Sequence, residues 1–178
     1  FINNIPRYCF WLVGANPSEL RKCPLLLERM EKVKQCRLES SAKETQKLAD
    51  SASLFAQLAQ PKKNFIAFPK VSSEQRRYIP IGFLTPDIIV GDKVYVIEDV
   101  GLYEFGVLTS NVHNDWMRAV AGRLEMRYSY SNTIVYNSFP WCNPTEGQKA
   151  KIEETAQAIL DARAKYPDSS LADLYDET

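Results

Sequence analysis

Three sets of residues in this chain have the types and spacing to do chemistry. The first is a carboxylate and a guanidinium two positions apart, Glu125 and Arg127. On a strand such residues project side by side, and an exposed pair of this kind is usually a minor surface ion pair. The same geometry suits a C·G base pair, the carboxylate accepting from the cytosine amino group while the guanidinium bonds guanine O6 and N7. The second set lies in residues 61–80, where Lys62, Lys63, Lys70, Arg76 and Arg77 face only Glu74, with Ser72 and Ser73 among them. Lys, Arg and Ser at strand ends grip phosphate oxygens without reading sequence. A solvated basic edge that protects a strand from aggregation would look the same.

The third set is Cys9, Cys23, Cys36 and Cys142 with the single His113. Their separations of 14, 13 and 106 positions contain no C-x-x-C pair, so no metal site is expected and the thiols read as buried and free. His113, beside Trp116 in a helical pattern, reads as a packed, hydrogen-bonded residue and not a catalytic base. Seven scattered glycines form no G-x-G-x-x-G or G-K-[ST] loop, and no G-x-S-x-G elbow occurs. Asn143-Pro144 is followed by Thr145-Glu146, not by the proline and aromatic residue of a base-holding Asn-Pro-Pro-Tyr loop. Pro86-Asp87 lacks a following E-x-K of the nuclease type. No catalytic residue is assigned.

The elements that must position these side chains follow from caps and periodicity. Asn16-Pro17-Ser18-Glu19 starts a helix; Pro24 starts a longer one with Leu26, Leu27, Met30 and Val33 at helical spacing. Ser41 to Glu44 is a capping-box pattern opening a short third helix. From Pro61 onward, short β-branched and aromatic runs at 65–69, 78–84, 88–90 and 94–97 predict a small sheet, with a turn at Gly91-Asp92-Lys93. Apolar spacing from Leu102 to Val120 predicts one inserted helix ended by Gly122. Residues 124–130 alternate strictly, which predicts a strand with Leu124, Met126, Tyr128 and Tyr130 on one face and Glu125, Arg127 and Ser129 on the other. Asn137, Phe139, Pro140 and Trp141 read as structural. Thr145 to Gln148 caps a helix running to about Ala164, and Ser170 to Asp173 opens another turn.

The fold class expected is α+β: N-terminal helices, a small central mixed or antiparallel sheet with an inserted helix, and a C-terminal helical segment. Its 178 residues, 45% hydrophobic, can bury a real core. No apolar run is long enough for a membrane span and no secretory signal is present, so the expected compartment is the cytoplasm. The first residue is Phe and the last helical pattern runs into the C-terminus, so a piece of a longer chain is expected. The zero net charge is an average: residues 1–80 carry 14 Lys+Arg against 7 Asp+Glu, and residues 81–178 carry 8 against 15. A neutral total therefore does not exclude nucleic acid.

Several segments carry a family likeness: Arg7-Tyr-Cys-Phe-Trp-Leu-Val, Val71-Ser-Ser-Glu-Gln-Arg-Arg-Tyr-Ile-Pro-Ile-Gly-Phe-Leu, Phe105-Gly-Val-Leu-Thr-Ser, Trp116-Met-Arg-Ala-Val-Ala-Gly-Arg-Leu, Tyr128-Ser-Tyr-Ser and Ile134-Val-Tyr-Asn-Ser-Phe-Pro-Trp. In this order, over nearly the whole chain, they resemble the target-recognition region of bifunctional type II restriction-modification enzymes of the MmeI-like kind. Ser170-Leu-Ala-Asp-Leu-Tyr-Asp resembles the start of that family's C-terminal helical region. Ser138 and Cys142 depart from the pattern, where Asn and Pro are expected. The resemblance implies residues 1–60 as a helical part joining a preceding methyltransferase domain, 61–143 as a DNA target-recognition core and 144–178 as the start of the C-terminal region. It implies Glu125, Arg127, Ser129 and the Lys93 turn as base readers, and it adds weight to Arg76 and Arg77 as phosphate contacts; Lys62, Lys63, Ser72 and Ser73 stay phosphate candidates on composition alone. It further implies double-stranded DNA and the methyltransferase domain of the same chain as partners. S-adenosylmethionine would serve the parent enzyme as methyl donor in forming N6-methyladenine, with Mg2+ where a nuclease is present, and no cofactor would lie in these residues. The reading from another class is a protein–protein docking module of a multidomain enzyme.

Overall fold

Helix caps act locally, and most of those expected form in the computed structural model, which describes residues 1–176. The Asn16 side chain accepts from Ser18 N at 2.9 Å and starts α1 (Pro17–Leu20). Pro24 occupies the first turn of α2 (Pro24–Leu38), where its missing N–H costs nothing. The third helix, α3 (Lys43–Lys47), begins at Ala42, and the Ser41 capping box is not made; Ser40 Oγ instead accepts from Ala42 N at 3.2 Å. Residues Pro6–Ala59 form one compact unit. Arg37 holds it together by donating to the carbonyls of Leu48 (2.7 Å), Ser51 (2.9 Å) and Leu54 (2.8 Å), and Trp11 stacks on Phe55 with ring centroids 5.7 Å apart.

The second unit is Phe1–Ile5 with Gln60–Thr178. It contains two antiparallel three-stranded sheets, not one central sheet. In the first, β1 (Phe65–Pro69) lies between β3 (Gly82–Leu84) and β4 (Val94–Ile97), in register Ile66 with Phe83 and Ile97. In the second, β6 (Arg127–Ser129) lies between β2 (Val71–Ser72) and β5 (Gly122–Leu124). The two meet at Lys70, whose N–H donates to Lys93 O at 2.9 Å and whose carbonyl accepts from Tyr130 N at 2.8 Å. Residues 88–90, expected as a strand, are not one. The Gln60 side-chain amide donates to the carbonyls of Pro86 (3.0 Å) and Ile88 (2.8 Å) there, so side-chain bonding stands where a ladder partner would.

The single helix expected over 102–120 is two, α4 (Leu102–Thr109) and α5 (Asn111–Val120). Ser110 is extended (φ −69°, ψ 158°), and its Oγ caps α5 by accepting from His113 N at 3.2 Å. A serine that can cap competes with helix continuation. After α5 comes the β5–β6 hairpin. A five-residue wide turn, Asn132–Tyr136, follows, with Asn137 N donating five residues back to Asn132 O at 2.8 Å. Thr145 and Gln148 make the expected capping box of α6 (Glu146–Ala164), and Ser170 and Asp173 that of α7 (Leu171–Tyr175).

The core joins both sheets and the helices: Ile66, Phe68, Ile79, Ile81, Phe105, Leu108, Met117, Tyr128, Tyr130, Val135 and Ala156 are buried together. Each large apolar side chain so buried contributes roughly 1.5–3 kcal/mol. His113 is fully buried, as a packed residue should be. Its Nδ1 lies 3.0 Å from Leu108 O, and its Nε2 3.1 Å from the Tyr130 hydroxyl. A carbonyl only accepts, so Nδ1 carries the proton and Nε2 accepts from Tyr130. Burial pushes the His113 pKa down to about 4 and the Tyr130 pKa up. The four cysteines are free but exposed, against the expectation of burial.

Candidate nucleic-acid interface

The strictly alternating stretch 124–130 folds as a hairpin tip and not as one strand. Leu124 and Arg127 are the last cross-strand pair, and Glu125 and Met126 are the two turn residues. Glu125 has φ 57°, a left-handed backbone rare for a residue other than Gly, Asn or Asp. A positive φ at the first turn residue is a property of the primed hairpin turns, whose twist suits the flanking strands. The face assignment changes with it. Tyr128 and Tyr130 are buried, but Leu124 and Met126 are 49% and 69% exposed.

Glu125 and Arg127 are nevertheless adjacent. Arg127 Nη2 donates to Glu125 Oε2 at 2.6 Å, with both side chains exposed. A pair this open to solvent contributes little to stability. Its carboxylate and guanidinium remain available to a ligand. Arg123, which the sequence reading passed over, fixes the tip: its guanidinium lies 3.8 Å from the Tyr128 ring centroid and donates to Met126 O at 2.9 Å. Its cross-strand pairing with Tyr128 puts both on one face, a relation visible only once the turn is known. Ser129, half-buried, pairs with Gly122 and Val71 at the base of the hairpin. Lys93 is exposed in the turn before β4 beside Asp92 (3.1 Å). Its carbonyl accepts from Lys70 N while Lys70 O accepts from Tyr130 N, so the Lys93 turn and the end of β6 are joined through one residue.

The basic strip divides by accessibility. Lys62 and Arg77 are exposed. Arg77 lies over the Tyr78 ring at 5.4 Å. Lys63 is exposed and ion-paired with Asp99 at 3.0 Å, and Lys70 sits 4.8 Å over the Tyr95 ring. Ser73 is half-buried, its Oγ accepting from Gln75 N at 3.2 Å. Two candidates face inward. Ser72 is 5% exposed, and its Oγ has no hydrogen-bond partner among the described residues. Arg76 is 12% exposed along its side chain and is gripped by both carboxylate oxygens of Asp176, Nη2 to Oδ2 at 3.0 Å. In this arrangement neither side chain is presented to a phosphate.

The loop bearing Arg76 and Arg77 is held from α5. Asn114 Oδ1 accepts from Ile79 N at 3.0 Å, the Tyr78 hydroxyl donates to Asn111 Oδ1 at 2.8 Å, and Arg118 donates to the carbonyls of Arg76 and Arg77. Phe139 is buried against Trp116 and Trp141, as expected of a structural cluster. No three His, Cys, Asp or Glu side chains converge as metal ligands among the described residues. No described helix is long and apolar enough to cross a membrane.

The chain is similar in fold and sequence to known proteins. The solved structure of the type IIL restriction-modification enzyme MmeI in complex with DNA superposes with a TM-score of 0.96 at 49% identity, over 99% of this chain and 24% of that one. DNA methyltransferase A of Bacillus subtilis (strain 168) is 40% identical over 175 residues, 98% of this chain and 20% of that protein. The chain thus spans about a fifth to a quarter of the length of these relatives. Residues 1–143 match the family described as MmeI, target recognition domain, and residues 144–178 the one described as MmeI, C-terminal domain. The chain belongs to the MmeI target-recognition family and continues into its C-terminal domain.

Proposed function

We propose that this chain is the DNA sequence-reading part of a restriction-modification enzyme, directing N6-adenine methylation to a specific site on double-stranded DNA. The observation that carries the reading is the β5–β6 hairpin, which holds Glu125 and Arg127 together, exposed and hydrogen-bonded, at a rigid tip. In the major groove that couple exchanges its internal bond for a cytosine amino group and guanine O6/N7, replacing one charge-assisted contact by several. Ser129 and Lys93 read neighbouring bases. Lys62, Lys63, Ser73 and Arg77 hold phosphates, with Lys70 beside them; Ser72 and Arg76 serve the fold.

The chemistry belongs to residues outside this chain. S-adenosylmethionine is the methyl donor that the similarity to DNA methyltransferase A and MmeI supports for the full enzyme. Mg2+, the methyltransferase domain as partner, any endonuclease activity and a cytoplasmic location are likewise readings of the parent enzyme. Residues 6–59 favour docking as their own role, since Phe10 and Leu25 stand 58% and 82% exposed along an apolar groove with Leu26 and Val33. The preceding methyltransferase domain is the partner proposed there.

The test is the double substitution Glu125→Lys with Arg127→Asp in the full-length chain, with methylated sites mapped by sequencing. One position of the recognised sequence should change its preferred base pair, each lost bidentate contact being worth roughly 1–3 kcal/mol of discrimination. An unaltered site preference would refute the assignment.

A further inference from the structure

We propose that Leu124 and Met126 are apolar base contacts, reading thymine C5-methyl groups on the base pairs beside the one that Glu125 and Arg127 address. The inference rests on the DNA-reading role just given. Both side chains are largely in water, 49% and 69% exposed, and neither belongs to a hydrophobic cluster of the core. Isolated exposed apolar residues are common. Here two occur within three positions: Leu124 closes strand β5, and Met126 sits in the two-residue turn itself, where Gly, Asn and Asp are the usual occupants.

The tip is also preorganised. Arg123 stacks on Tyr128 at 3.8 Å and bonds Met126 O at 2.9 Å, so the turn's backbone is held before any ligand arrives. Rigid contacts lose less freedom on binding. Leu124 is the direct cross-strand partner of Arg127, so the two side chains leave the same face with Cβ atoms roughly 5 Å apart. The base pairs of a duplex are stacked about 3.4 Å apart. A leucine beside a guanine-reading arginine therefore falls on the neighbouring pair. Guanine O6/N7 and cytosine N4 are major-groove atoms, and the apolar group that a base pair presents in that groove is the thymine methyl.

The experiment uses the full-length chain and duplexes carrying its recognition site, each thymidine in the site and its flanks replaced in turn by deoxyuridine, which lacks only the methyl. Competition binding should show about a fourfold loss at one or both positions flanking the charge-read pair, the value of one buried methyl. The ratio should fall toward one in Leu124→Ala or Met126→Ala. Because it compares two duplexes on the same protein, it cancels any loss of folding. The proposal is overturned if neither neighbouring pair contains thymine, if uridine is without effect in the unmodified protein, or if its effect persists in both variants. A changed site preference in the charge swap together with a flat uridine scan would reject the apolar contacts alone.

Discussion

At the scale of single residues, the chain separates groups that stabilise it from groups exposed to solvent, such as those proposed to meet DNA. His113 is of the first kind. Held neutral with a pKa near 4 against an ordinary 6.5, it binds its proton more readily in the unfolded chain. Its contribution is therefore complete above pH 6.5 and is lost as pH falls toward 4, by about 3 kcal/mol in all. Urea unfolding between pH 7 and 4.5 should show this decline, and His113→Gln should lower stability at pH 7 while flattening the slope. Glu125 is of the second kind. Its left-handed backbone limits what can replace it: Asn, Asp and Gly fit, straight side chains are tolerated, and β-branched ones are strained. If Glu125 reads a base pair as proposed, the set of pairs it can be recoded to read is bounded by the turn as well as by the DNA.

At the scale of elements, α4 and α6 approach so closely that Gly106 has no room for a side chain. A Cβ there would lie 2.8 Å from Ile152 Cγ2 and 3.1 Å from Ala156 Cβ. Gly106→Ala should cost roughly 1–3 kcal/mol in thermal unfolding, while Gly147→Ala, in open space on α6, should not destabilise. Elements set by local signals were legible in the sequence: the caps at Asn16, Thr145 and Ser170 depend on partners two or three residues away. The Glu125–Arg127 pair was also legible, though through the wrong geometry. Strict alternation over 124–130 imitates a strand, and neither Glu125 nor Met126 is a turn-forming type. The break at Ser110 was hidden because the apolar spacing continues across it. Ser72 and Arg76 could not be sorted from Lys62 and Arg77 by type, because what sets them apart lies far along the chain: Ser72 faces Tyr128, and Arg76 is bound by Asp176.

At the scale of the whole molecule, the zero net charge conceals exposed cations, Lys62 and Arg77 among them, that are proposed to meet phosphate. Each phosphate contact adds about 0.9 to the slope of log affinity against log salt. In the full-length chain, Lys62→Gln and Arg77→Gln should each reduce that slope by about one, as read from DNA binding over a salt series. Arg76→Gln should leave the slope unchanged and lower stability instead. A second consequence concerns cut points for exchanging specificities between enzymes. The family boundary at 143/144 is not a folding boundary. Beyond it lie Ile152 and Ala156 against Gly106, Arg163 donating to Ile81 O at 2.7 Å, and the Asp176 clamp on Arg76; at the other end Ile2 O accepts from Ala172 N at 2.9 Å. The compact unit that a transplant would have to carry is discontinuous, residues 1–5 with 60–176, and residues 6–59 form a separate unit. A transplant ending at Asn143 would carry the β5–β6 hairpin away from the helix that seals its core.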